Sequence, residues 1–232
     1  MARIRVEDTG QRSHIRQVAF ASFIGTAIEW YDFFLYGTTA ALVFPKLFFP
    51  AFSPPAATLA SFATFGVAFF ARPIGGVVFG HFGDRIGRKS MLVITLLLMG
   101  GATFLIGLVP TFEQIGSLAS VLLVILRFLQ GLAVGGEWGG ATLIVVEHAP
   151  EKRRNFYASW PQTGAAVGSI LSTAVFAMFS SLPDVQFFSW GWRVPFLLSI
   201  VLIAVGFFIR LRVLESPVFY ALRHSDSSPK RL

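Results

Sequence analysis

The chain has 232 residues, of which 54% are hydrophobic and only 13% charged, whereas a water-soluble domain carries about a quarter charged residues. A mean hydropathy of +0.68 excludes a disordered chain, and so little charge leaves too few polar residues to cover a soluble enzyme. With no Cys and four widely separated His, neither a disulfide framework nor a metal cluster is expected, and the net charge of +7 has to be located before nucleic acid is considered.

Six windows reach the roughly 20 mainly apolar residues that a spanning helix needs. An amino-terminal arm with Arg3, Arg5, Arg12 and Arg16 leads into the first, residues 18–44. Its middle reads Gly25-Thr-Ala-Ile-Glu29-Trp-Tyr-Asp32-Phe-Phe-Leu-Tyr36. Positions three and four apart share a helical face, so Gly25, Glu29, Asp32 and Tyr36 form one polar stripe. Phe52-Ser-Pro-Pro breaks the chain before the second window, 57–82, which carries Arg72 and Gly75-Gly76. The charged turn Gly83-Asp84-Arg85-Ile-Gly87-Arg88-Lys89 precedes the third, 91–109. The fourth, 118–146, holds Arg127, Gln130 and Glu137 among closely spaced glycines, and Ala149-Pro-Glu-Lys-Arg-Arg-Asn follows it. The fifth, 156–180, contains Gln162 and Gly164-x-x-x-Gly168; the sixth, 192–211, runs into a polar tail. Small residues let helices approach closely in lipid. The expectation is an all-α membrane protein: an arm over 1–17, a six-transmembrane-helix bundle over 18–211, and a tail over 212–232. A Glu-Trp pair in the first and fourth windows is what a three-plus-three repeat would leave, though two residues carry little by themselves.

Most of the 19 Lys and Arg fall on one side: the arm, the 83–89 turn, the 149–155 turn with Lys152, Arg153 and Arg154, and the carboxyl-terminal end from Arg210 onward. Lys46 and Arg193 fall on the other. The positive-inside rule places both termini in the cytoplasm of a multi-pass inner-membrane protein. The basic excess is therefore topological, and no nucleic-acid partner is expected. No cleavable leader is expected either, because the first apolar stretch is long and aromatic.

Glu29, Asp32, Arg72, Arg127 and Glu137 fall inside spans, where each charge costs about 2.5–3.5 kcal/mol. At about 1.5 Å per residue, Asp32 and Arg127 lie roughly 18 and 14 Å from the same face, and Glu29 and Arg72 both near ~22 Å. Acids and bases at matching depth point to ion pairs across a central cavity. The competing reading is that these pairs staple the bundle. In the cavity reading Arg72, Gln130, Glu137 and Tyr36 are candidates for substrate contact, and Glu29 is a candidate for proton coupling.

The segment Gly80-His-Phe-Gly83-Asp84-Arg85-Ile-Gly87-Arg88-Lys89 closely resembles the signature between helices two and three of the major facilitator superfamily. Arg127-x-x-Gln130-Gly131-x-x-x-Gly135 looks like its helix-four motif, and Leu214-Glu215-Ser216-Pro217-x-Phe219 like the segment after its sixth helix. Glu29-Trp-Tyr-Asp-Phe, Ala71-Arg-Pro-Ile-Gly-Gly and Gly136-Glu-Trp-Gly-Gly are similar to the metabolite:proton symporters, whose members carry alpha-ketoglutarate, citrate, shikimate, or proline and betaine. The resemblance implies half of a twelve-helix fold, a 3+3 inverted repeat of helices. It also implies that Asp32 exchanges the coupling proton against Arg127, that Gln162 touches substrate, and that Glu147 joins Arg88 and Arg153 in a gating relay. Gly80, Gly83, Asp84, Arg85 and Gly87 belong to the same gate.

The function so implied is proton-coupled symport of a small metabolite, with a proton gradient and no cofactor as the energy source. Arg72 and Arg127 favour an organic acid, and a zwitterion such as proline or betaine is the alternative. Partners are the lipid bilayer, the metabolite, protons, and a second six-helix half or a homodimer. A non-transporting interaction protein built from a carrier half is the competing class. The sequence offers no Ser/His/Asp set, metal cluster or nucleotide loop, so no enzyme is expected.

Overall fold

The computed structural model describes residues 2–150 and 153–211. Six long helices dominate: α1 (Ala2–Leu42), α2 (Pro54–Ile86), α3 (Arg88–Leu108), α4 (Leu118–His148), α5 (Arg154–Ser180) and α6 (Ser199–Leu211). No strand occurs among the described residues. Among the described residues, six segments are long and apolar enough to cross a membrane: Ile15–Leu42, Pro54–Gly83, Lys89–Leu108, Leu118–Glu137, Arg154–Ser180 and Gly191–Leu211. The last is not one continuous helix. A 3-10 turn at Gly191–Arg193 and a short helix at Val194–Leu197 lead into α6.

Turn chemistry sets the joints. Pro54 opens α2 after the extended Ser53, where a missing amide hydrogen costs nothing. Gly87 ends α2 and starts α3 at φ 111°, a backbone conformation that glycine adopts without strain. Thr111 and Gln114 form a capping box on the short helix Phe112–Ile115, which satisfies otherwise orphaned amides. Pro73 and Pro161 sit inside α2 and α5, as membrane helices tolerate.

The tightest packing runs α1 along α5 and α2 along α4. Exchanging helices one, two and three with four, five and six turns the first pair into the second, as a 3+3 repeat requires. Glycine makes both crossings possible. A Cβ on Gly164 or Gly168 would overlap the α1 carbonyls of Phe23 or Ala27, and one on Gly75 or Gly135 would overlap those of Leu132 or Arg72. Small residues at such crossings let dispersion replace the hydrophobic driving force that lipid lacks.

An aromatic core fills the end of the bundle away from the termini, where Phe44, Phe48, Trp192 and Phe196 interlock. Ile15, Val18, Val145 and Tyr157 close the terminal end. Two residues counted as surface charges in the sequence are not at the surface. Arg193 is half-buried and donates to the carbonyls of Gly107 and Val109, at 2.9 and 2.7 Å. Arg210 is buried. In both cases a free carbonyl or carboxylate was available inside, which position along the chain does not reveal.

Candidate functional site

Asp32 projects from α1 into the centre and is 4% exposed. Its Oδ1 accepts from Thr103 Oγ1 of α3 at 2.6 Å and from Gln130 Nε2 of α4 at 2.6 Å. Its Oδ2 accepts from Arg127 Nη1 at 3.2 Å. Arg127 Nη1 also donates to Gln130 Oε1 at 3.0 Å, so Gln130 bridges acid and base. Three donors onto one carboxylate are what an ionised side chain needs away from water. The Arg127 guanidinium lies over the ring of Tyr36 at 4.0 Å and that of Phe65 at 4.8 Å, and a desolvated cation over aromatic faces gains about 2 kcal/mol. The Tyr36 hydroxyl is bonded to Thr64 Oγ1 at 2.7 Å.

A cavity opens beside this cluster, bordered by Glu29, Asp32, Phe33, Arg72, Arg127 and Gln130. Arg72 stacks on Phe69 at 4.7 Å and Phe33 at 5.7 Å. Among the described residues it makes no hydrogen bond or ion pair, and its Nε is buried without a partner. The depth match between Glu29 and Arg72 puts both on the cavity wall, but no ion pair joins them.

Glu137 does not border the cavity. It forms a second buried ion pair with Arg210 of α6, which also donates to the Leu92 carbonyl of α3. Gly25 leaves room for this pair: a Cβ there would overlap Arg210 and approach Glu137 Oε1 to 2.9 Å. The other Glu137 oxygen, Oε2, is buried with no partner.

The remaining sequence-derived candidates fall apart spatially. Tyr36 is fully buried under Arg127 rather than on the cavity wall, and Gln162 lies exposed on α5. Gly80 has open space where a Cβ would go, and at Gly83 a Cβ would make ordinary contact with Met91 at 3.5 Å. Arg85 and Arg153 are exposed. The side chains of Asp84, Arg88 and Glu147, and the whole of Glu215, lie outside the described residues. Thr103 was not singled out in the sequence, because a lone hydroxyl in an apolar window gives no signal. Phe65 and Phe69 were equally silent among 26 phenylalanines.

The family model described as "Sugar (and other) transporter" matches residues 18–231. The chain belongs to this transporter family, within the major facilitator superfamily. It is 53% identical over 226 residues to the shikimate transporter of Escherichia coli K12, covering 97% of this chain and 52% of that protein. It is 39% identical over 206 residues to the proline/betaine transporter of the same organism, covering 88% and 41%. The solved structure of the proton:xylose symporter XylE superposes with a TM-score of 0.79 at 21% identity, over 92% of this chain and 47% of that one. That likeness shows the fold. The chain spans about half the length of the curated relatives it matches.

Proposed function

We propose that the chain is the amino-terminal half of a proton-coupled symporter that carries a small carboxylate-bearing metabolite across the inner membrane, with its termini in the cytoplasm. The observation that carries this reading is Arg72: a guanidinium on the cavity wall with no acceptor among the described residues. A planar guanidinium takes a carboxylate through two parallel hydrogen bonds. Arg127 is engaged with Asp32 in the same wall. Protonating Asp32 removes the charge that holds Arg127, which then turns to the substrate, and the loaded carrier changes conformation because substrate and proton together favour the other state.

The reading requires a covering half, because α2 and α5 are the least buried spans and the cavity opens beside α2. A second six-helix unit or a second copy fills that place. The proline/betaine-like alternative draws on Glu29, whose acid beside Arg72 would suit a zwitterion. Uptake of radiolabelled organic acids and betaines into proteoliposomes under an imposed pH gradient separates the two. Asp32→Asn should abolish accumulation against a gradient while substrate exchange persists. Accumulation by that variant refutes the proton role, and uptake of neither substrate class favours a non-transporting carrier half.

A further inference from the structure

The two guanidiniums of the cavity stand on a connected set of rings. Arg127 lies over Tyr36 at 4.0 Å and Phe65 at 4.8 Å, and Arg72 lies over Phe69 at 4.7 Å and Phe33 at 5.7 Å. Phe65 in turn contacts both rings beneath Arg72. Its centroid is 4.9 Å from that of Phe33 and 5.7 Å from that of Phe69, while Phe33 and Phe69 meet edge-on at 6.1 Å. These are the separations of packed aromatic pairs. Two helices build the set. On α2, Phe65, Phe69 and Arg72 are spaced four and three apart and share a face; on α1, Phe33 directly follows Asp32. The triangle of Phe33, Phe65 and Phe69 thus bridges one cation paired with Asp32 and another whose Nε is buried without a partner among the described residues.

We infer that Phe33, Phe65 and Phe69 are positioning residues that transmit the state of Arg127 to Arg72. Neutralising Asp32 removes the anion that holds Arg127 over Phe65. As the guanidinium turns away, Phe65 loses the cation on its face and repacks against Phe33 and Phe69, the two rings under Arg72. Packed side chains carry such a displacement from one contact to the next. Arg72 therefore moves with the proton site, although no ion pair joins it to Asp32 among the described residues. By reciprocity, an anion held on Arg72 changes how readily Asp32 takes its proton. The link between the two arginines stands without the symporter reading; its use in coupling proton to substrate rests on that reading.

Solid-state NMR of the full chain in lipid bilayers, labelled on arginine nitrogen, reads both guanidiniums and needs no transport. Arg72→Gln and Arg127→Gln each remove one signal and so assign the pair. Phe65→Leu keeps apolar bulk but deletes a ring that lies under Arg127 and not under Arg72; it should nevertheless shift the Arg72 signal. Asp32→Asn should also shift the Arg72 signal when Phe65 is present, and should leave it in place in the Phe65→Leu background. An equal shift in both backgrounds would mean that the charges act directly through space, and an Arg72 signal unmoved by Phe65→Leu would mean that the rings only fill volume. Either result overturns the inference. If Phe65→Leu does not fold, Phe69→Leu, at a position 46% exposed, runs the test from the other end: it should shift the Arg127 signal, and an unmoved signal overturns the inference equally. Linked signals in a chain that takes up neither organic acids nor betaines would count against the symporter reading alone.

Discussion

Removing Arg127 tests the central cluster most directly. Arg127→Gln deletes the 3.2 Å ion pair to Asp32, the 3.0 Å bond to Gln130 and two cation–aromatic contacts. Breaking a buried pair from one side costs about 3–5 kcal/mol, because the remaining charge is stranded. At roughly 2–4 °C per kcal/mol for a chain of this size, the unfolding midpoint should fall by about 6–20 °C. Asp32 can escape by taking a proton, so the loss should grow as pH rises and shrink as pH falls. Adding Asp32→Asn removes the stranded charge while Thr103 and Gln130 keep an acceptor at position 32. The double variant should therefore recover about 0.5–3 kcal/mol relative to the sum of the single changes. Thermal unfolding in lipid nanodiscs across a pH series reads all three variants. Strict additivity, or a loss independent of pH, would refute a charge-paired Asp32.

Arg72 has no internal acceptor to strand, so Arg72→Gln should leave the unfolding midpoint near wild type while raising the apparent KM about 10-fold or more, the worth of a charge-assisted hydrogen bond; substrate titration of uptake checks it. Arg72→Lys should recover only part, because an ammonium lacks the planar fork, and an unchanged KM in both variants would remove Arg72 from the substrate site. Gly135→Val would drive a side chain into the Arg72 carbonyl of α2 and should cost about 1–3 kcal/mol, read as a lower midpoint and weaker membrane assembly. Gly80→Ala meets nothing within 4 Å and should gain up to about 0.8–1.0 kcal/mol in helix propensity. If Gly80 serves the gate, the same variant slows uptake without losing stability, and unchanged uptake would return it to a purely structural role.

Much of the architecture is legible because the membrane imposes its own grammar. Windows of about 20 apolar residues, Gly-Pro breaks and a Gly164–Gly168 crossing are local features, and lipid leaves few other structures available. The pairing of Asp32 with Arg127 was also within reach, since depth along a straight helix follows from counting residues. Rotation about the helix axis does not follow from counting. Glu29 and Arg72 share a depth yet form no ion pair, and Tyr36 shares the polar stripe yet lies beneath a guanidinium. Arg210 shows the limit most clearly. At the edge of an apolar window it reads as a topological charge, whereas Gly25, Glu137 and the Leu92 carbonyl, on three other helices, together make an internal site for it.

The two buried ion pairs divide the work between them in a way that the helix repeat makes intelligible. Asp32–Arg127 joins α1 to α4, the equivalent first helices of the two three-helix units, with Thr103 of α3 as a third donor. Glu137–Arg210 joins α4 to α6, with Leu92 of α3 as the second acceptor. Helix α4 therefore supplies a base to one pair and an acid to the other, and α3 braces both. Helix α2 contributes to neither pair. It brings Arg72 to the cavity on a helix packed mainly along α4 through glycine contacts and tied to α1 by hydrogen bonds from Ser61 to the Ala40 carbonyl and between Thr64 and Tyr36. The α1–α3–α4–α6 frame therefore carries both ion pairs, while α2 carries the Arg72 side of the cavity beside it. On this account, variants that break either ion pair should show first as loss of folding, read as a lower unfolding midpoint, whereas Arg72→Gln should leave the midpoint near wild type.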